Sequence, residues 1–112
     1  MAVAVADFRR VNEPSAAEWR ERVTTAERPV NWGAGSKGVA FLTTVGPGVA
    51  LAVDVNPHKQ DKFLAGSGVE VVAPERLRDE RPDLVVAMNP VYLGEIGSAL
   101  SELGVDAQLA AV

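Results

Sequence analysis

The sequence predicts an α/β fold, a parallel sheet of about five strands covered by helices, and three observations carry that expectation. Apolar runs of strand length alternate with helix-like segments along the chain. "VALAVDVN", residues 49–56, is continuously apolar up to a polar tip, as suits a strand buried on both faces of a parallel sheet. "NWGAGSKG", residues 31–38, places Gly33, Gly35 and Gly38 at a spacing that turns a strand into a helix.

Each element has its own signal. In "EPSAAEWRERVTTAER" Ser15 is the expected N-cap, and Glu18 closes a capping box. Trp19, Val23 and Ala26 form one apolar face of that helix, which Pro29 ends. "PVNWGAG" is a short strand running into glycines. "SKGVAFLTTVG" is a helix that begins in the turn and stops at Gly46-Pro47-Gly48. After the second strand, "PHKQDKFLAGSG" reads as a polar connection without helical periodicity. "VEVVA", residues 69–73, is the third strand, and "PERLRDERP" is a short helix opened by Pro74. "DLVVAMN", residues 83–89, is the fourth strand. A helix with Tyr92, Ile96, Ala99, Leu100 and Leu103 on one face follows, and "VDAQLAAV" is the last strand. Right-handed crossovers and the Rossmann precedent give the order 3-2-1-4-5. The expectation is one Rossmann-like domain spanning residues 1–112, with three layers and an N-terminal helix.

Composition excludes several classes. The chain has 112 residues, of which 47% are hydrophobic and 23% charged, the balance of an ordinary globule. A net charge of -4, from 11 basic and 15 acidic residues, argues against a nucleic-acid partner. No apolar run reaches membrane-spanning length. "MAVAVADFRR" lacks the basic opening of a secretion signal, so a cytoplasmic location without membrane contact is expected. There is no cysteine, and His58 is the single histidine, so neither a metal centre nor a nucleophilic triad is expected. No nucleophile–base pair or carboxylate pair marks a catalytic residue.

The candidate site is a ligand site. Gly33 permits a tight turn, Gly35 lets main chain approach a phosphate, and Gly38 lets the helix lie close to the strand. The main-chain N–H groups at Ser36 and beyond open a helix, whose N-terminus favours an anion. The same glycines also serve chain geometry alone. Lys37 opposes the helix dipole, which suggests neutralisation of a phosphate or carboxylate, although a solvated lysine serves as well. Asp54 ends the second strand about twenty positions beyond Gly33, where a dinucleotide site places an acid for a ribose hydroxyl. In "DVNPHKQDK" Asn56, Lys59 and Lys62 flank the same edge, with His58 as a further donor; a wet charged loop is the plain alternative. Asn89 and Tyr92 follow the fourth strand, where open α/β sheets bind ligands, and Asn89 equally suits a helix cap. Trp32 is expected in the core.

"WGAGSKGVAFL", "VDVNPHKQDKFLAGSGVEVVAPERL" and "PDLVVAMNP" followed by "EI" together resemble the C-terminal domain of sugar C-methyltransferases, over residues 29 to about 97. Positions matching the family turn are Gly33, Gly35, Lys37 and Gly38; those matching its second segment are Asp54, Asn56, Pro57 and Lys59. The sequence departs from the pattern at Ala65, where a proline is usual, and at Asn89-Pro90, where a tryptophan-asparagine pair is usual. The resemblance implies an accessory domain, without catalytic residues of its own, that helps enclose a nucleotide-linked deoxysugar. Its partners would be that nucleotide-sugar substrate and a catalytic methyltransferase domain, in cis or in trans. S-adenosylmethionine would be bound by the catalytic part, with no cofactor held by this domain. Two other readings stay open: a small nucleotide-binding module, like the N-terminal domain of sugar-nucleotide acyltransferases, and an interaction domain with a vestigial turn.

Overall fold

The computed structural model describes residues 15–45, 48–64 and 66–112. The opening segment, the Gly46-Pro47 pair and Ala65 lie outside the described residues.

Helix α1, Ala16–Thr25, begins as the sequence leads one to expect. The Glu18 N–H donates to Ser15 Oγ at 3.2 Å, and the Ser15 N–H donates to Glu18 Oε1 at 3.4 Å. Trp19 and Val23 are buried. Trp19 meets Phe41 edge-on at a ring separation of 5.5 Å, while the Arg22 guanidinium covers the indole at 4.6 Å. Phe41 belongs to helix α2, Ser36–Val45. Arg20 Nε donates to the Thr44 carbonyl near the end of α2, where a cation also complements the helix dipole.

Among the described residues, six strands form one sheet: β1 Pro29–Trp32, β2 Leu51–Val53, β3 Lys62–Phe63, β4 Glu70–Val72, β5 Leu84–Ala87 and β6 Gln108–Ala111. Their order is β3-β4-β2-β1-β5-β6. All pairings are parallel except β3 with β4. The five expected strands therefore take the expected order. The sheet gains a sixth strand within "PHKQDKFLAGSG", which sequence reading treats as a plain connection. β3 has only two residues, both exposed; its strand character comes from pairing Lys62 with Val71 and Phe63 with Glu70. Strand β2 is shorter than the apolar run that announces it: its pairing with the neighbouring strands covers only Leu51–Val53.

Alternation along the strands divides the core. Val30, Leu51, Val53, Val72, Val85 and Ala87 face Leu77, Ile96 and Leu100. Leu77 opens the short helix α3, Leu77–Glu80, and the latter two come from α4, Leu93–Leu103. Leu84, Val86 and Met88 face Trp19, Val23, Phe41 and Val45 of α1 and α2. Helices thus cover both faces, as a parallel sheet requires. Helix α4 stops at Gly104, whose φ of 71° is the left-handed cap that glycine adopts without strain.

Asp83 ties the chain ahead of β1 to the start of β5. Its carboxylate accepts from the Glu27 N–H at 2.8 Å and the Arg28 N–H at 2.7 Å. These main-chain donors, Glu27 first and Arg28 second, hold its pKa below the usual carboxylate value. A depressed folded-state pKa stabilises the fold above the unfolded value and loses that contribution as pH falls through the folded one. Urea midpoints are therefore expected to drop below about pH 4, and Asp83→Asn is expected to flatten part of that drop. Identical pH profiles for the two proteins would exclude the clamp.

Candidate functional site

β1 lies at the point where the chain order reverses, with β2 on one side and β5 on the other. Open parallel sheets form a crevice beyond the carboxyl ends of their strands at such a point. Here the crevice is a cleft of about 620 Å³, a size suited to a small-molecule ligand. Its floor holds Trp32 and Gly33 after β1, Asp54 after β2, and Met88 and Asn89 after β5. Its walls include Glu75, Tyr92, Glu95 and Ile96.

The three turn glycines separate into two kinds. A Cβ on Gly38 would overlap the Gly33 carbonyl oxygen, so α2 packs on the turn main chain to main chain. Gly33 has a φ of 128°, and a Cβ there would meet Met88 Cγ at 2.9 Å. Both are dictated by the fold. A Cβ on Gly35 would meet nothing within 4 Å, and Gly35 has no left-handed φ. The space a side chain would take there is open, so no packing contact accounts for a glycine at that position.

Asp54 closes the turn from the β2 side. Its Oδ2 accepts from the Ala34 N–H at 3.0 Å and its Oδ1 from the Asn56 N–H at 2.9 Å. Asn56 Oδ1 in turn accepts from the His58 N–H at 3.0 Å, and Gln60 Nε2 donates to the Asp54 carbonyl at 2.7 Å. "DVNPH" is thus a pair of successive side-chain-capped turns, and Asn56 helps to shape the loop. Asn89 caps the 3₁₀ turn Pro90–Tyr92, accepting from the Val91 N–H at 3.1 Å, and it also borders the cleft.

Gly33, Asp54 and Asn89 therefore converge on one cleft. Gly35, Ser36, Lys37 and Gly38 form the adjoining turn and the start of α2. Lys37, Asn56 and Lys59 are exposed and do not line the cleft. Trp32, expected in the core, is only partly buried: it packs against the core and also borders the cleft. Sequence reasoning missed Glu75 and Glu95, carboxylates that come to the cleft from two segments that no motif connects. It also missed Asn31, which is fully buried beneath the turn. Asn31 Nδ2 donates to the Gly38 carbonyl at 3.4 Å, and among the described residues its Oδ1 has no partner. A polar residue inside the otherwise apolar "PVNW" strand is the signal that could have drawn notice.

A sheet of this topology, with helices on both faces and a glycine turn beside a cleft at the order reversal, defines a Rossmann-like domain. More particularly, the chain belongs to the C-methyltransferase C-terminal domain family, which matches residues 8–107. Among curated proteins, none matches it. Among solved structures, it is similar to UDP-D-quinovosamine 4-dehydrogenase from Vibrio fischeri, with a TM-score of 0.61, 17% identity and 77% of each chain covered. It is also similar to RSP, a Rex-family repressor, with a TM-score of 0.57, 17% identity, and 81% of this chain and 55% of that one covered. RSP in complex with β-NAD+ and operator DNA gives a TM-score of 0.54 at 19% identity, covering 76% and 50%. The chain spans about half the length of the repressor chains. At these identities the likeness is one of fold. Among the described residues, no helix is long and apolar enough to cross a membrane.

Proposed function

We propose that this chain is the accessory domain of an S-adenosylmethionine-dependent C-methyltransferase and helps to enclose a nucleotide-linked sugar in the cleft beyond β1 and β5. The observation that carries this reading is the cleft itself, in a chain of this family. Two aromatic side chains, Trp32 and Tyr92, stand among hydrogen-bond acceptors from Asp54, Glu75, Asn89 and Glu95. Flat apolar faces beside carboxylates and amides suit a sugar or nucleoside, which presents C–H faces and hydroxyl donors. The fold neighbour from Vibrio fischeri bears the name of an enzyme acting on a UDP-linked sugar, which is compatible with such a ligand.

The catalytic base and the methyl donor belong, on this reading, to a separate methyltransferase domain. Val55, Val91 and Tyr92 are apolar or aromatic and exposed at the same edge, a fitting surface for that domain to close over the ligand. The chain alone is expected not to transfer a methyl group when incubated with S-adenosylmethionine and thymidine- or uridine-diphosphate deoxysugars. Incorporation of labelled methyl by the chain alone would overturn the accessory assignment.

A further inference from the structure

We propose that the cleft takes up the uncharged, hydroxyl-bearing part of its ligand and leaves the diphosphate outside, because Asp54 supplies the glycine turn with an internal anion. This rests on the nucleotide-sugar reading above and specifies which end of the ligand enters.

In a dinucleotide site the turn and helix start face a pyrophosphate. Here a carboxylate already lies at the turn. Asp54 is held there by two main-chain donors, Ala34 N–H on one oxygen and Asn56 N–H on the other. Its charge offsets the positive end of α2 and repels a second anion at short range. The cleft beside it reinforces the choice. Asp54, Glu75 and Glu95 border it, and no lysine or arginine does so among the described residues. Among the described residues Glu75 and Glu95 make no ion pair or side-chain hydrogen bond, and both bring carboxylate acceptors to the cleft lining. Hydroxyl groups satisfy such acceptors, whereas phosphate oxygens do not. Trp32 and Tyr92 supply the faces on which a ring can rest. The lysines that could meet a diphosphate, Lys37 and Lys59, are exposed outside the cleft.

The test is an amide and indole NMR titration of the 112-residue chain with four probes: thymidine diphosphate glucose, uridine diphosphate glucose, methyl glucoside with free nucleoside, and inorganic pyrophosphate. The expected result is movement of the Trp32 indole and the Tyr92 and Asn89 amides with a nucleotide sugar and with an uncharged part. Pyrophosphate is expected to leave the Ala34–Lys37 amides in place. In Asp54→Ala it is expected to move them, with affinity at least about tenfold tighter than in the wild type. Asp54→Asn, which keeps an acceptor for Ala34 N–H but no charge, gives the same comparison where the alanine variant fails to fold. Pyrophosphate binding at the wild-type turn, with nucleotide sugar still bound in the cleft, would overturn this inference and leave the enclosing role intact. Unchanged pyrophosphate affinity in both variants would equally overturn it. No response to either nucleotide sugar would overturn the enclosing role, and this inference with it.

Discussion

Gly38→Ala is expected to lower the unfolding free energy by about 3 kcal/mol or more. The added methyl would overlap the Gly33 carbonyl oxygen, which is main chain and has no rotamer to turn away. Relief requires α2 to lift from β1, which also pulls Phe41, Leu42 and Val45 out of the core. Gly35→Ala is the matched control. It meets nothing within 4 Å and loses only the modest advantage of glycine over alanine ahead of a helix, about 1 kcal/mol at most. Urea unfolding of the two variants checks this directly. Equal losses would mean that the whole turn is packed and that Gly35 is not open to a ligand.

Asp54→Ala comes next in expected size, at a loss of about 2 kcal/mol. The substitution leaves the Ala34 and Asn56 N–H groups without their carboxylate. Asp54 is half-buried, so water recovers part of the loss. Asp54→Asn retains one carbonyl acceptor and is expected to lose about half as much. Stability of the alanine variant within a few tenths of a kcal/mol of wild type would mean that the Asp54 contacts contribute nothing to holding the turn. The same pair of proteins then shows whether the acid repels an anion, so that one set of variants reports on both stability and selectivity.

Much of the fold is legible in the sequence for a plain physical reason. Strands buried on both faces must be apolar throughout, and "LAV" and "LVVA" are so regardless of their neighbours. Helix starts are legible for a similar reason: the Ser15–Glu18 capping box acts within four residues and can be read locally. β3 resists such reading because Lys62 and Phe63 are a strand only by virtue of β4. The site divides in the same way. Gly33 and Gly38 are legible because the turn they make is local. The position of Asp54 is legible from its distance along the chain, but its bond to Ala34 depends on how two loops meet. Glu75, Glu95 and the cleft-side edge of Trp32 are set by tertiary convergence, and a spacing rule has no purchase on that.

The most direct test is a calorimetric titration of the intact chain with nucleotide sugars, NAD and S-adenosylmethionine, repeated with Tyr92→Ala. Tyr92 is half exposed and borders the cleft, so its removal is expected to leave stability within about 0.5 kcal/mol while weakening nucleotide-sugar binding about tenfold. Heat with a thymidine- or uridine-diphosphate sugar, at weakened affinity in that variant and absent with NAD and S-adenosylmethionine, is the expected result. Binding of NAD or S-adenosylmethionine in preference to every nucleotide sugar, or nucleotide-sugar binding indifferent to Tyr92, would contradict it.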